Sequence, residues 1–102
     1  MPVFSILGWT FFFWSNEFIG NKLEPIHIHV CKGKPSKNAP KWWVGYGRKT
    51  SLASFDNAER YGIKQSDKAE IEEIIKNNAN LIIELWHEHF VGHDLEVHDS
   101  VK

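Results

Sequence analysis

The segment Glu24-Pro25-Ile26-His27-Ile28-His29-Val30-Cys31 constrains the fold more than any other stretch of this chain. Pro25 disfavours helical geometry at Glu24, and the strict alternation behind it reads as a β-strand. Strand side chains point to opposite faces in turn. His27, His29 and Cys31 therefore share one face, and Ile28 and Val30 share the other. A strand of this kind has an apolar back to be covered and a front carrying a row of groups that bind protons, metal or phosphate.

The chain is long enough for one core. Its 102 residues make a single domain, and folding at this size buries somewhat over ~60% of the unfolded surface. Seven Phe, five Trp and two Tyr make the core unusually aromatic, and each large ring buries roughly 150–250 Å². A single cysteine excludes a disulfide within the monomer, which implies a reducing, cytoplasmic setting. Met1-Pro2-Val3 lacks the positive start of a secretory signal. The apolar stretch Val3–Trp14 spans 12 residues, short of the ~20 that a membrane helix needs, so no membrane association is expected. Charge is uneven: residues 22–49 carry a balance of +6 and residues 50–102 one of −6. Two unlike surfaces, or two oppositely charged layers facing each other, would account for it.

Val3–Trp14 reads as extended structure covered on both faces, with Gly8 as a bulge or break. Ser15-Asn16-Glu17 and Gly20-Asn21-Lys22 are turn chemistry. The second strand runs over Ile26–Lys32, and Gly33–Pro40 is a polar, aperiodic loop. Trp42–Tyr46 is a third strand, and Gly47-Arg48 turns into a fourth around Thr50–Ser54. Residues 55–65 carry no regular pattern. Asp67, with Glu70 three residues on, marks a helix start. Ile71, Ile74, Ile75, Leu81, Ile82, Leu85, Trp86 and Phe90 follow at helical spacing. Asn77-Asn78-Ala79-Asn80 interrupts that pattern, and Gly92 stops it. The expected fold is α+β: a small antiparallel sheet of about four strands packed against a long, kinked C-terminal helix. Residues 1–92 form the domain, and 93–102 a polar tail.

Phe12-Phe13-Trp14-Ser15-Asn16-Glu17, then Glu24-Pro25-Ile26-His27-Ile28-His29-Val30, resembles the bacterial family catalogued as domain of unknown function 4160. Its members carry an aromatic strand ending in Asn-Glu, then Glu-Pro-Pro-His-x-His-Val, a tryptophan strand and a closing helix. Here Lys41–Val44 and Trp86-His87-Glu88-His89-Phe90 stand at the last two places. Pro25-Ile26 departs from the double proline, and Gly33–Pro40 is longer than usual. The resemblance covers residues 3–92. It implies a small cytoplasmic protein from a toxin–antitoxin-like or mobile-element gene pair, and carries no activity with it.

His27 and His29 are the first candidates for chemistry. Two imidazoles on one strand face chelate a transition metal when a carboxylate or a third histidine completes the site. Alternatively, one serves as a general base, since an imidazole near pKa ~6.5 suits that task. The structural alternative is a histidine that hydrogen-bonds backbone or carboxylate. On an unbroken helix His89 lies five turns from Ile71 and meets the sheet, whereas His87 points about 200° away. The candidate metal set is therefore His27, His29 and His89, with a divalent metal as the only cofactor suggested. Cys31 continues the histidine row, as a ligand or as a small filler. Lys32, Trp43, Arg48 and Lys49 are candidate binding residues for nucleic acid, with lysines on phosphates and one tryptophan stacking a base. There is no phosphate loop, nucleophile elbow, Cys-x-x-Cys or His-Glu-x-x-His.

Two functional readings follow. The first is a binding module that acts through a protein partner, or as a homodimer joined at an open sheet edge. The second is a nuclease-like phosphodiesterase or metal-binding protein that uses His27 and His29, with Lys32 or Arg48 on phosphate charge.

Overall fold

The computed structural model describes residues 2–14 and 17–101. Its sheet begins with a hairpin of β1 (Pro2–Ile6) and β2 (Trp9–Phe12). Leu7 and Gly8 both adopt positive φ, 53° and 84°, which is the backbone of a two-residue primed turn whose twist suits paired strands. The stretch expected as one broken strand is thus two antiparallel ones, and the sheet has five strands. The turn expected at Ser15-Asn16 lies outside the described residues. A small hairpin, β3 (Phe18–Ile19) and β4 (Lys22–Leu23), follows. The chain then enters β5 (His27–Lys32), β6 (Lys41–Gly45) and β7 (Lys49–Leu52). The main sheet runs β1-β2-β5-β6-β7, antiparallel throughout.

α1 (Phe55–Arg60) occupies part of the segment that carries no sequence pattern. Its Ser54 cap accepts from the Asn57 N–H at 3.2 Å. α2 (Gln65–Asn77) begins three residues earlier than an N-cap at Asp67 implies, with Lys64 as its cap. Asp67 sits inside the first turn, where its carboxylate accepts the Lys64 N–H at 3.0 Å. Asn78 ends α2, its backbone N–H and side-chain amide both donating to the Ile74 carbonyl, and α3 (Ala79–His89) restarts directly after it. The interruption is therefore a break into two helices, made by an asparagine that competes for helical hydrogen bonds.

One sheet face packs on these helices. Phe11, Ile28, Val30, Trp42 and Val44 join Ile71, Ile75, Ile82 and Trp86 in one core, all fully buried. Acids of α2 cap the strand tryptophans: the Trp9 indole donates to Glu70 at 2.8 Å and that of Trp42 to Glu72 at 3.1 Å. Part of the acidic helical surface is thus turned towards the sheet. Residues 93–101 return across the sheet. Ile26 donates its N–H to the Glu96 carbonyl at 2.9 Å, and the His98 ring stacks on Trp43 at 4.3 Å. Val101 is buried where Gly45 leaves room for it; a Cβ on Gly45 would stand 2.5 Å from the valine Cγ1. No helix among the described residues is long and apolar enough to cross a membrane.

Candidate metal centre

Strand alternation sends Ile28 and Val30 into the helix-side core, and places His27, His29 and Cys31 opposite. Phe12, Cys31 and Ala39 form a second, smaller apolar cluster there, and the Phe12 ring stacks on His29 at 5.5 Å. Both histidines are buried, His27 completely.

Glu17 supplies the third group. The Glu24 N–H donates to the Glu17 carbonyl at 2.9 Å, which closes the base of the β3–β4 hairpin. The Glu17 side chain, also buried, reaches both imidazoles. Its Oε2 lies 2.9 Å from His27 Nε2, and its Oε1 lies 3.0 Å from His29 Nε2. Oε1 also accepts the Trp14 N–H at 2.9 Å.

The far side of each ring is fixed as well. His27 Nδ1 lies 2.9 Å from the Pro25 carbonyl, and His29 Nδ1 lies 3.0 Å from that of Ala39. A carbonyl only accepts, so both Nδ1 atoms carry hydrogen and donate. Ala39 is held in turn: it donates to the Ser36 carbonyl at 3.1 Å, and Val30 donates to the Pro40 carbonyl at 3.0 Å. The loop Gly33–Pro40 is therefore tied to β5 and orients one imidazole.

With Nδ1 assigned, both Nε2 atoms face one carboxylate. An ionised carboxylate also only accepts, so without a cation each Nε2 donates to it only when its ring carries a second proton. In that state two imidazoliums and one carboxylate share a largely buried site, an arrangement that costs several kcal/mol per buried ion before pairing offsets it. Burial alone raises the Glu17 carboxyl, but hydrogen bonds from His27 and His29 and their positive charge outweigh it and hold the group well below the usual carboxylate range. A metal ion held by Glu17, His27 and His29 would satisfy the same groups differently, with one cation in place of the two Nε2 protons. Histidine ligands commonly donate their other ring nitrogen to a carbonyl, which is the arrangement at both rings here.

The ligand atoms of Glu17, His27 and His29 lie within 4.8 Å of one another. Bonds of about 2.1 Å at a tetrahedral ion place ligand atoms about 3.4 Å apart. The two Glu–His contacts, 2.9 and 3.0 Å, would have to open towards that separation for the carboxylate and both imidazoles to hold one ion. Two imidazoles and a carboxylate form the set that leaves coordination positions open on first-row transition metals.

Glu17 and His29, but not His27, line a cleft of about 580 Å³ with Trp14, Glu24, Lys37 and Lys41. A second cleft of about 610 Å³ shares His29, Lys37 and Lys41 and extends to Asn57, Arg60 and Tyr61.

The other residues singled out by sequence lie elsewhere. α3 buries Ala79, Ile82 and Trp86 and Phe90 continues that line, so the break at Asn78 leaves His89 exposed, beside Phe13 and Phe90. His89 is not one of the clustered ligands. The Cys31 thiol donates to the Lys34 carbonyl at 3.2 Å, and burial pushes it up towards the neutral form. Lys32 sits over the Trp9 ring at 4.8 Å. Arg48 binds the Lys76 carbonyl at 3.1 Å and the Asn77 side chain, joining the β6–β7 turn to the end of α2. Lys49 is exposed at the start of β7. Trp43 is half-buried between His98 and the Lys41 ammonium, which stands 4.6 Å from its ring. Lys32, Trp43, Arg48 and Lys49 do not line either cleft. Glu17 was missed as the partner of the two histidines, although it is the only acidic residue before Glu24 and ends the aromatic Asn-Glu segment.

A family model described as Domain of unknown function (DUF4160) matches residues 8–87, a span that contains Glu17, His27 and His29. No curated protein and no solved structure matches the chain.

Proposed function

The chain belongs to the DUF4160 family, and from that premise we propose that it is a metal-binding domain whose Glu17, His27 and His29 hold one divalent first-row transition cation. One observation carries this reading: both Nδ1 atoms are committed to backbone carbonyls, while both Nε2 atoms converge on one buried carboxylate. The backbone sets the tautomer that a ligand needs, and β5 sets the spacing. Such an ion keeps open positions on the Glu17–His29 side, where it can polarise a bound oxygen as a Lewis acid. The partner-binding reading draws less support from this geometry, because Trp42 is fully buried and Trp43 is sandwiched by His98 and Lys41.

The test is a calorimetric titration of metal-stripped protein with zinc and with manganese. Saturable binding of one ion per chain is expected, abolished in Glu17→Gln and in His29→Ala variants shown to be folded by circular dichroism. Absence of binding to the parent at millimolar metal would refute the reading and leave the cluster as a structural ion pair.

A further inference from the structure

The larger cleft beside His29 has a chemical bias that the metal ligands do not explain. Lys37, Lys41 and Arg60 line it, and no carboxylate does. Elsewhere in the fold several bases are engaged: Lys22 pairs with Glu96, Lys68 with Glu72, and Arg48 with the end of α2. Lys41 is held by Glu24 at 2.7 Å. The side chains of Lys37 and Arg60 form no hydrogen bond or ion pair with any described residue. Two uncommitted cations in a concave site, in a chain of net charge −1, concentrate positive potential beside His29, in a cleft that shares His29, Lys37 and Lys41 with the one lined by Glu17.

Size and composition narrow the ligand. A volume of about 610 Å³ falls within the range of small-molecule sites, roughly 300–1,000 Å³. The Asn57 amide and the Tyr61 hydroxyl supply neutral polar groups around the cations. The Tyr61 hydroxyl is hydrogen-bonded to Ser36 at 3.1 Å, which holds its ring at the rim. A planar arginine and mobile lysines suit a tetrahedral oxyanion, and an aromatic ring at the rim suits a base or another flat group.

We infer that this cleft binds a phosphate ester of nucleotide size, with its phosphate between Lys37, Arg60 and the open side of the Glu17–His27–His29 centre. The inference rests on the metal reading for one of its contacts, since an ion at the triad supplies a further oxygen ligand for the phosphate. Lys37 and Arg60 supply the rest of the charge. The monoester and the diester share this chemistry, so the assay separates them.

The experiment is calorimetry on the full chain with adenosine 5′-monophosphate, a dinucleoside monophosphate and adenosine as probes, each with zinc and with EDTA. Lys37→Gln and Arg60→Gln are the variants; both residues are exposed, so the fold is retained. Binding of one or both phosphate probes but not adenosine is expected, about ten-fold weaker in each variant. Equal binding by parent and variants, or equal binding of adenosine, overturns the inference. Zinc binding with no phosphate binding also overturns it, yet leaves the metal reading standing. Phosphate binding that depends on Lys37 and Arg60 in EDTA, in a protein that takes up no zinc, supports the cleft and refutes the metal reading.

Discussion

Replacing Glu17 with Gln separates a metal centre from a structural ion pair. In the metal-free protein Glu17 accepts three hydrogen bonds, from Trp14, His27 and His29. Glutamine presents one accepting oxygen and one donating amide. Turned so that its oxygen still serves Trp14 and His29, it directs the amide at His27, whose Nε2 then accepts as a neutral imidazole. One charge-assisted contact is lost outright and the other becomes a charged–neutral one. Breaking a buried ion pair at one partner costs about 3–5 kcal/mol. The new amide contact offsets part of that, so the variant should lose about 3 kcal/mol in urea unfolding with EDTA. Zinc adds the discriminating readout. At a free concentration 100 times its Kd, one bound ion stabilises the folded state by about 2.7 kcal/mol. For a domain of this size each kcal/mol moves the midpoint by roughly 4–8 °C. The parent should therefore melt roughly 10–20 °C higher with zinc, and Glu17→Gln should not respond. The same zinc shift in both proteins would falsify the assignment of Glu17 as a ligand.

Four further outcomes are expected. In EDTA, the depressed Glu17 carboxyl contributes its full stability above its unfolded pKa of about 4.3. That contribution is lost as pH falls from there towards the folded pKa, so parent and Glu17→Gln should converge in stability below about pH 4; a constant gap down to pH 2 would contradict the linkage. Leu7 is exposed, with φ at 53°, and asparagine tolerates that conformation better, so Leu7→Asn should raise the unfolding free energy measured in urea by about 0.5–1 kcal/mol. Gly45→Ala puts a methyl against Val101, which should cost about 1–2 kcal/mol and change Trp43 fluorescence as the His98 stack loosens. Ile82 is fully buried between helix and sheet, so Ile82→Ala should lose about 2–5 kcal/mol without altering zinc stoichiometry.

The strand side of the fold was legible because each strand carries a local reason for being one. Pro25 and the Ile/His/Ile/His alternation define β5, and Gly47-Arg48, both at positive φ, define the β6–β7 turn. The first hairpin was hidden by Leu7. A leucine at positive φ is a poor turn signal, so Leu7-Gly8 reads as a bulge in one long strand rather than as a two-residue loop. α1 was hidden because its short length buries only Ala58, which leaves no periodicity to read. The kink was legible at Asn77–Asn80, but its consequence for His89 was not. A residue's angular position carries across a helix only while the helix is continuous, and Asn78 ends that continuity.

The same reasoning explains why half of the centre could be read and half could not. His27 and His29 share a face through a two-residue period that the local backbone enforces, so their convergence is a property of β5 alone. Glu17 joins them from ten residues upstream of His27, across the β3–β4 hairpin, and nothing local to it points at β5. Its placement depends on the Glu24-to-Glu17 backbone bond and on the Trp14 N–H that orients its carboxylate. The Ala39 carbonyl that orients His29 arrives in the same way, through the loop Gly33–Pro40. Glu17 and the Ala39 carbonyl, which meet the histidines from beyond the strand, are thus supplied by connections rather than by regular elements. An ion bound there would tie β5 to the segment before β3, while the Ala39 carbonyl ties it to the loop before β6. Zinc should therefore protect the amides of Trp14 and Glu24 from hydrogen exchange more than those in the middle of α2. Uniform protection across the chain would instead mean that the ion acts on global stability alone, and that these connections are already rigid without it.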